Sequence, residues 1–335
     1  MHMPEINYTP SGRLYKTTDG CRFYVFFGID SDGCVDNGMR YKHGGPFPAA
    51  VSEKFGLEPV EEALRMAWTF VNEFEDRGCP RFTALVKSLD RLGQMPIVQE
   101  FVASGRVTLP DVEPLRAYLD AVAKEKGFGD DVLAGYIGTL TPGSPEHTAL
   151  QQVAEWSVLV NEKVDALPRI PPFPAAVTTI KTAYDMGVDM MIVSGTPEKH
   201  LRREWEHHGL IDKVLGVYGR DTGKKADLLA AAVQSSRTNG TPYSIPIMFG
   251  DAPGDDKERL KASEKVGQRI GFMPIRVGHE DGDWSWFRDN FVGPGKVHEY
   301  TGSVEEERIA AFYRNLDRDW LPGADITDLF PQKIE

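Results

Sequence analysis

Asp30 and Asp32 follow an unbroken apolar, aromatic-rich run at 21–29 (CRFYVFFGI), and Ser194 follows a second run at 188–193 (VDMMIV). A third run at 245–249 (IPIMF) ends on Gly250-Asp251, with Asp255 four residues beyond Asp251. Lys225 stands at the start of a helical pattern between the second and third runs. Carboxylates brought to one point repel one another unless a hard cation neutralises them, and Mg²⁺ bound by oxygen ligands suits that role. A lysine and a hydroxyl in the same place supply donors for the equatorial oxygens of a phosphoryl group. Brought together by a fold, these residues describe a phosphoryl-transfer site.

Positioning them falls to strands. Apolar runs of this length without alternation read as strands buried on both faces. After Ser194-Gly195 comes Thr196-Pro197-Glu198, a hydroxyl N-cap followed by proline at the first helical position. That helix is expected to run to about His208 and stop at Gly209. Upstream, 174–186 carries Val177, Ile180, Ala183 and Tyr184 at helical spacing, with Gly187 placed to terminate it. Helical patterns at 224–233 and 255–266 complete an alternation of strand and helix. The predicted fold is therefore α/β, a doubly wound, Rossmann-like parallel sheet with helices on both faces. Ligands of such sheets sit beyond the carboxyl ends of the strands, where all of these polar residues fall.

Between about residues 45 and 170 strand-like runs are scarce. The stretch 61–76 has Leu64, Ala67, Trp68, Val71 and Phe74 on one helical face, and 114–126 and 148–166 are also amphipathic. A proline-rich connector, 168–174 (PRIPPFP), closes the region. The predicted organisation is a discontinuous core, 1–44 and 171–335, with a mainly helical insertion, 45–170. The Trp284, Trp286 and Phe287 cluster, the Gly-Pro-Gly at 293–295 and a helix at 304–316 read as an elaboration packed on the core.

Composition narrows the function classes. A hydrophobic fraction of 41% with 26% charged residues is that of a soluble globular chain, and 335 residues suffice for about two domains. No run approaches the roughly 18 apolar residues of a membrane span. The first eleven residues lack the basic and apolar regions of a secretory signal. Three cysteines, Cys21, Cys34 and Cys79, form no CxxC pair, which suits a reducing cytoplasm better than a disulfide scaffold. A net charge of −12 without a dense basic stripe argues against nucleic acid as partner. It also means that a phosphorylated substrate needs local metal and lysine to overcome global repulsion.

Four segments carry a resemblance. VFFGIDSDGCV (25–35), MMIVSG (190–195), GKKADLL (223–229) and GDAPGD (250–255) resemble, in order, the four motifs of the haloacid dehalogenase superfamily. Each is weak alone; the four in sequence, each after the right kind of strand, are specific. The resemblance covers about 20–45 and 170–280, and the helical insertion sits where members of that superfamily carry a C1-type cap. It implies Asp30 as nucleophile, forming an aspartyl-phosphate. It implies Asp32 as the acid that protonates the leaving oxygen and the base that then activates water. Mg²⁺ would be held by Asp30, the backbone carbonyl of Asp32 and Asp251, with Asp255 completing or bracing the site. Ser194 and Lys225 would bind phosphoryl oxygens. Lys224 and Asp256 are neighbouring alternatives to Lys225 and Asp255.

Asp32 also sorts the chemistries within that superfamily. Dehalogenases and phosphonoacetaldehyde hydrolases lack a carboxylate two residues after the nucleophile, and the DKTGT-like motif of ion pumps is absent. The implied reaction is hydrolysis of a small phosphate monoester, such as a sugar phosphate. A phosphomutase of the β-phosphoglucomutase type uses the same residues, and a non-catalytic binding module is a further alternative. A receiver-like phosphoacceptor fits poorly, because receivers are about 120 residues long and lack the late GDxxxD. Gly195, Lys42 and Arg81 are candidates for substrate contact, although solvated surface charge explains the two cations equally well. Residues 219–225 (GRDTGKK) superficially resemble a phosphate loop but have three residues between the glycines and no following Ser or Thr. His200, His207 and His208 lack a ligand pattern, and Cys34 needs no redox role.

Overall fold

The computed structural model describes residues 6–322, which form two compact units: 6–38 with 169–316, and 39–168 with 317–322. In chain order the strands are β1 (Tyr15–Lys16), β2 (Arg22–Phe23), β3 (Val25–Ile29), β4 (Asp189–Val193), β5 (Gly216–Tyr218), β6 (Ile245–Gly250) and β7 (Gly271–Pro274). The first nine helices are α1 (Gly38–Gly44), α2 (Pro46–Phe55), α3 (Glu61–Phe70), α4 (Arg81–Gly93), α5 (Pro96–Ala103), α6 (Glu113–Tyr118), α7 (Lys124–Lys126), α8 (Asp130–Ile137) and α9 (Pro145–Asp165). Then follow α10 (Pro174–Asp185), α11 (Glu198–His207), α12 (Lys225–Thr238), α13 (Pro253–Val266), α14 (Glu280–Phe287) and α15 (Ser303–Leu316).

The larger unit is built on a five-stranded parallel sheet in the order β5-β4-β3-β6-β7. From the central β3 the chain winds first towards β4 and β5, then returns to β6 and β7 on the other side. The winding direction therefore reverses between β3 and β6, and the carboxyl end of that junction is where such sheets bind ligands. Ile29 is in register with Ile192 on β4 and Phe249 on β6, so the first and third polar loops leave the sheet side by side. The predicted strand at 21–29 is divided. Tyr24 turns its carbonyl to accept from Ser244 N at 2.9 Å, while β2 leaves the sheet to pair antiparallel with β1.

Alternation on the sheet sets the two faces. Val25, Phe27 and Ile29 join Met190, Ile192, Ile247, Phe249 and Met273 in one buried cluster with residues of α10, α11 and α14. Gly28 points the other way, where a Cβ would overlap Leu229 Cδ2 from α12; the missing side chain lets that helix lie close on the strand. Trp284 is buried and stacked on Phe249, ring centroids 4.7 Å apart, and half-buried Trp286 packs edge-on against Phe291 and Tyr300.

The helical unit has its own core, centred on Phe47, Trp68, Phe82 and Trp156. Two helices expected to be continuous are interrupted by single π-helical turns, Val71–Glu75 after α3 and Leu119–Ala123 after α6. At the first, Asn72 Nδ2 donates to the Trp68 carbonyl at 2.8 Å, a side-chain bond that competes with the backbone ladder. The C-terminal boundary also differs from the expected core segment 171–335. Trp320 packs tilted against Phe70, ring centroids 4.9 Å apart, and Arg318 lies over the Phe74 ring, so 317–322 belong with the helical unit.

Candidate active site

Asp30, Asp251 and Asp255 meet at the junction of β3 and β6, each with a carboxylate oxygen within 4.8 Å of the others. Asp30 follows the last residue of β3 and donates its backbone N–H to Phe249 O at 3.0 Å. Asp251 follows β6. Asp255, in the first turn of α13, accepts from Ala252 N at 3.2 Å, which aims its other oxygen inwards. A Cβ on Gly250 would overlap that carboxylate, so glycine is required there. The three are 7, 3 and 2% exposed, a burial that makes bare negative charge costly.

Lys225 is the counter-charge. Its Nζ lies 2.9 Å from Asp30 Oδ2 and 2.5 Å from Asp255 Oδ1. Burial alone would depress the lysine, but Asp255 and Asp30 outweigh it and hold the ammonium well above its ordinary pKa. Burial pushes Asp255 up to about 6, with Lys225 opposing and Asp30 adding to the rise. Asp30 Oδ1 is buried with no hydrogen-bond partner. Three carboxylates against one ammonium leave 3 − 1 = 2 formal negative charges, and one oxygen there accepts nothing. That donor set fits a hard divalent cation.

Geometry separates the neighbouring alternatives. Lys224 occupies the exposed N-cap of α12, outside the cluster that Lys225 reaches. Asp256 faces away, bound by Arg259 Nε at 2.8 Å and by Tyr313 Oη at 2.9 Å. Ser194 follows β4, nearly buried, its N–H donated to Tyr218 O at 3.1 Å; Gly195 beside it is exposed. Lys42 on α1 and Arg81 on α4 belong to the helical unit. Arg81 donates to Ser157 Oγ at 2.9 Å and Asn161 Oδ1 at 2.8 Å and lies over the Phe47 ring, which braces α9 against α2.

Asp32 sits apart from the first cluster, with a carboxylate oxygen close to those of Asp36 and Glu204. Its Oδ2 accepts from Thr196 Oγ1 at 2.9 Å. The local sequence places Thr196 as the cap of α11. Instead the N-cap position is Pro197, and Asp221 Oδ1 accepts from Glu198 N at 3.0 Å.

Several residues that shape the loop 30–38 were not evident as site residues in the sequence. Buried Asp36 accepts from Gly38 N at 2.8 Å and from Ser31 Oγ at 3.3 Å. Two indoles hold the loop from different helices: Trp205 Nε1 donates to Ser31 Oγ at 3.0 Å and Trp284 Nε1 to Cys34 O at 2.8 Å. Asp36 lies only four residues after Asp32, a spacing that could have drawn notice; the two tryptophans are distant in sequence and carried no such signal. Cys34 is fully buried, and burial with the nearby carboxylates drives its thiol pKa up. His200 and His207 are exposed, and His208 Nε2 contacts Ile170 O at 3.2 Å. No helix among the described residues is long and apolar enough to cross a membrane.

No protein-family model matches the sequence, and no curated protein matches it. Among solved structures, a haloacid dehalogenase-like hydrolase from Streptococcus pneumoniae is 14% identical at a TM-score of 0.39, with 86% of this chain and 98% of that one covered. A protein described as a phosphoglycolate phosphatase from Lactobacillus delbrueckii subsp. bulgaricus is 14% identical at 0.38, covering 87% and 99%. CbbY from Rhodobacter sphaeroides, in complex with phosphate, is 15% identical at 0.32, covering 75% and 86%. Likeness at this level carries no argument about chemistry, which rests on the chain's own geometry. Strand order and the place of Asp30 at the switch point give this chain a doubly wound, Rossmann-like α/β fold.

Proposed function

We propose that this chain is a haloacid dehalogenase superfamily enzyme that hydrolyses a small phosphate monoester, such as a sugar phosphate, through an aspartyl-phosphate on Asp30. The observation that carries the reading is the state of Asp30: one oxygen paired with Lys225 at 2.9 Å, the other buried without a partner, beside Asp251 and Asp255 at the switch point of the sheet. Asp30, Asp251 and Asp255 would hold Mg²⁺, with the backbone carbonyl of Asp32 as a further ligand. When bound, the cation supplies the positive charge that lets an anionic carboxylate approach an anionic phosphate.

The protein's own groups account for the rest. Asp30 attacks phosphorus; the bond from phosphorus to the ester oxygen breaks as the bond to the Asp30 oxygen forms. Asp32, as a carboxylic acid, gives its proton to the departing oxygen, then as carboxylate takes a proton from the water that releases phosphate and restores Asp30. Lys225, kept protonated by its two carboxylate neighbours, and the Ser194 hydroxyl bind the non-bridging oxygens.

Phosphate release from a panel of sugar phosphates and p-nitrophenyl phosphate, with and without Mg²⁺, tests the reading against Asp30→Asn. Mg²⁺-dependent release in the wild type that vanishes in the variant supports it. Release that persists in Asp30→Asn overturns the nucleophile. Isomer formation without phosphate release assigns the same residues to a phosphomutase instead.

A further inference from the structure

The structure assigns a role to a residue outside the four motifs' expected machinery: we propose that Thr196 is a positioning residue for Asp32. Its hydroxyl, donated to Asp32 Oδ2 at 2.9 Å, sets the orientation of that carboxyl, and the loop at 219–222 holds Thr196 in place. The inference rests on the acid and base role proposed for Asp32.

A threonine before Pro-Glu at a helix start ordinarily spends its oxygen on the backbone N–H groups of the first turn. Here that duty is discharged from another strand. The loop after β5 sends Asp221 Oδ1 to accept from Glu198 N at 3.0 Å, and Thr222 Oγ1 donates to Glu198 Oε2 at 3.2 Å. The Thr196 hydroxyl is thereby released to reach a residue 164 positions away in sequence. Its backbone is pinned as well: Thr196 N donates to Ser194 Oγ at 3.3 Å, and Thr196 O accepts from Arg220 N at 3.4 Å. Gly219 has no room for a Cβ, which would overlap Thr196 O. On the far side of Asp32, a Cβ on Gly38 would overlap Asp32 Oδ1. The carboxylate is thus bracketed between a hydroxyl donor and a glycine. The stretch at 219–225 that superficially resembles a phosphate loop finds its use here, as the clamp behind Thr196.

The test separates positioning from general stability by leaving group. An alkyl phosphate needs its departing oxygen protonated, whereas 2,4-dinitrophenolate leaves unassisted, so kcat/KM for the first reports Asp32 and for the second does not. Thr196→Val, which keeps the shape and removes the donor, is expected to lower kcat/KM on the alkyl phosphate about ten- to a hundredfold, the worth of a hydrogen bond to a charged group. It should leave the dinitrophenyl ester little changed, and Thr196→Ser should restore the alkyl activity. Equal losses on both esters, or no rescue by serine, overturn the proposal while Asp30-dependent turnover keeps the proposed function standing. A crystal structure of Thr196→Val adds a readout independent of turnover. An Asp32 carboxylate displaced from its wild-type position supports the proposal, and one left unmoved overturns it, even if neither ester proves to be a substrate.

Discussion

Lys225 Nζ lies 2.9 Å from Asp30 Oδ2, a buried ammonium bound directly to the carboxylate proposed to attack phosphorus. The same nitrogen holds Asp255 at 2.5 Å, so one lysine ties the end of β3 to the first turn of α13. Lys225→Met keeps the side-chain volume and removes both contacts together with the donor proposed for the phosphoryl oxygens. Turnover should fall about 10²- to 10³-fold, the usual cost of losing one preorganised donor. The melting temperature in EDTA should also fall, because two buried carboxylates lose their partner. A variant with wild-type turnover would show that Lys225 merely balances charge.

The raised pKa of Asp255, about 6, makes the metal-free protein pH-sensitive. A carboxyl that holds its proton in the folded state up to about pH 6, and releases it near pH 3.9 when unfolded, stabilises the fold below the lower value. That contribution is lost as pH rises from about 4 through about 6. A divalent cation offsets the repulsion only where the carboxylates are ionised. Added Mg²⁺ should therefore raise the melting temperature by several degrees at pH 7.5 and by much less at pH 5. Equal shifts at the two pH values, or none, would count against a cation at Asp30, Asp251 and Asp255.

Gly28 and Leu229 share one space. Gly28→Ala places a methyl group against Leu229 Cδ2 in a fully packed layer, with an expected cost of about 1–3 kcal/mol in chemical denaturation. Leu229→Ala alone opens a cavity at about 2–5 kcal/mol. The double variant should be more stable than the sum of the two changes implies, because the new methyl fills part of the space that leucine leaves. Strict additivity would show that the helix α12 moves instead of the side chain.

Arg81 offers a test within the helical unit. Its guanidinium is committed to Ser157, Asn161 and the Phe47 ring. Arg81→Met should lower the melting temperature by a few degrees through these lost contacts. On any phosphate ester the protein turns over, a KM within about twofold of the wild type would assign Arg81 to bracing α9 and α2. A large rise in KM with unchanged melting would return Arg81 to substrate binding.

Much of the core could be read from the chain alone, for a physical reason. A strand buried on both faces must be continuously apolar, and a parallel sheet exposes its functional residues only where such a run stops, so Asp30, Ser194 and Asp251 were marked by local sequence. The helix stops at Gly187 and Gly209 were equally local; both glycines have the positive φ that ends helices. Other features depend on residues meeting across the chain. That Lys225 rather than Lys224 enters the cluster, and Asp255 rather than Asp256, follows from which side of α12 and α13 faces the sheet, and adjacent positions in one helix differ by about 100°. Breaking the run 21–29 at Tyr24 needed the partner at Ser244. Thr196 carried the local sequence of a helix cap and became a partner of Asp32 because Asp221, from a loop after another strand, took over the capping. Hydrogen-bond donors go to whichever acceptor the packing brings within reach, and only the tertiary structure decides which that is.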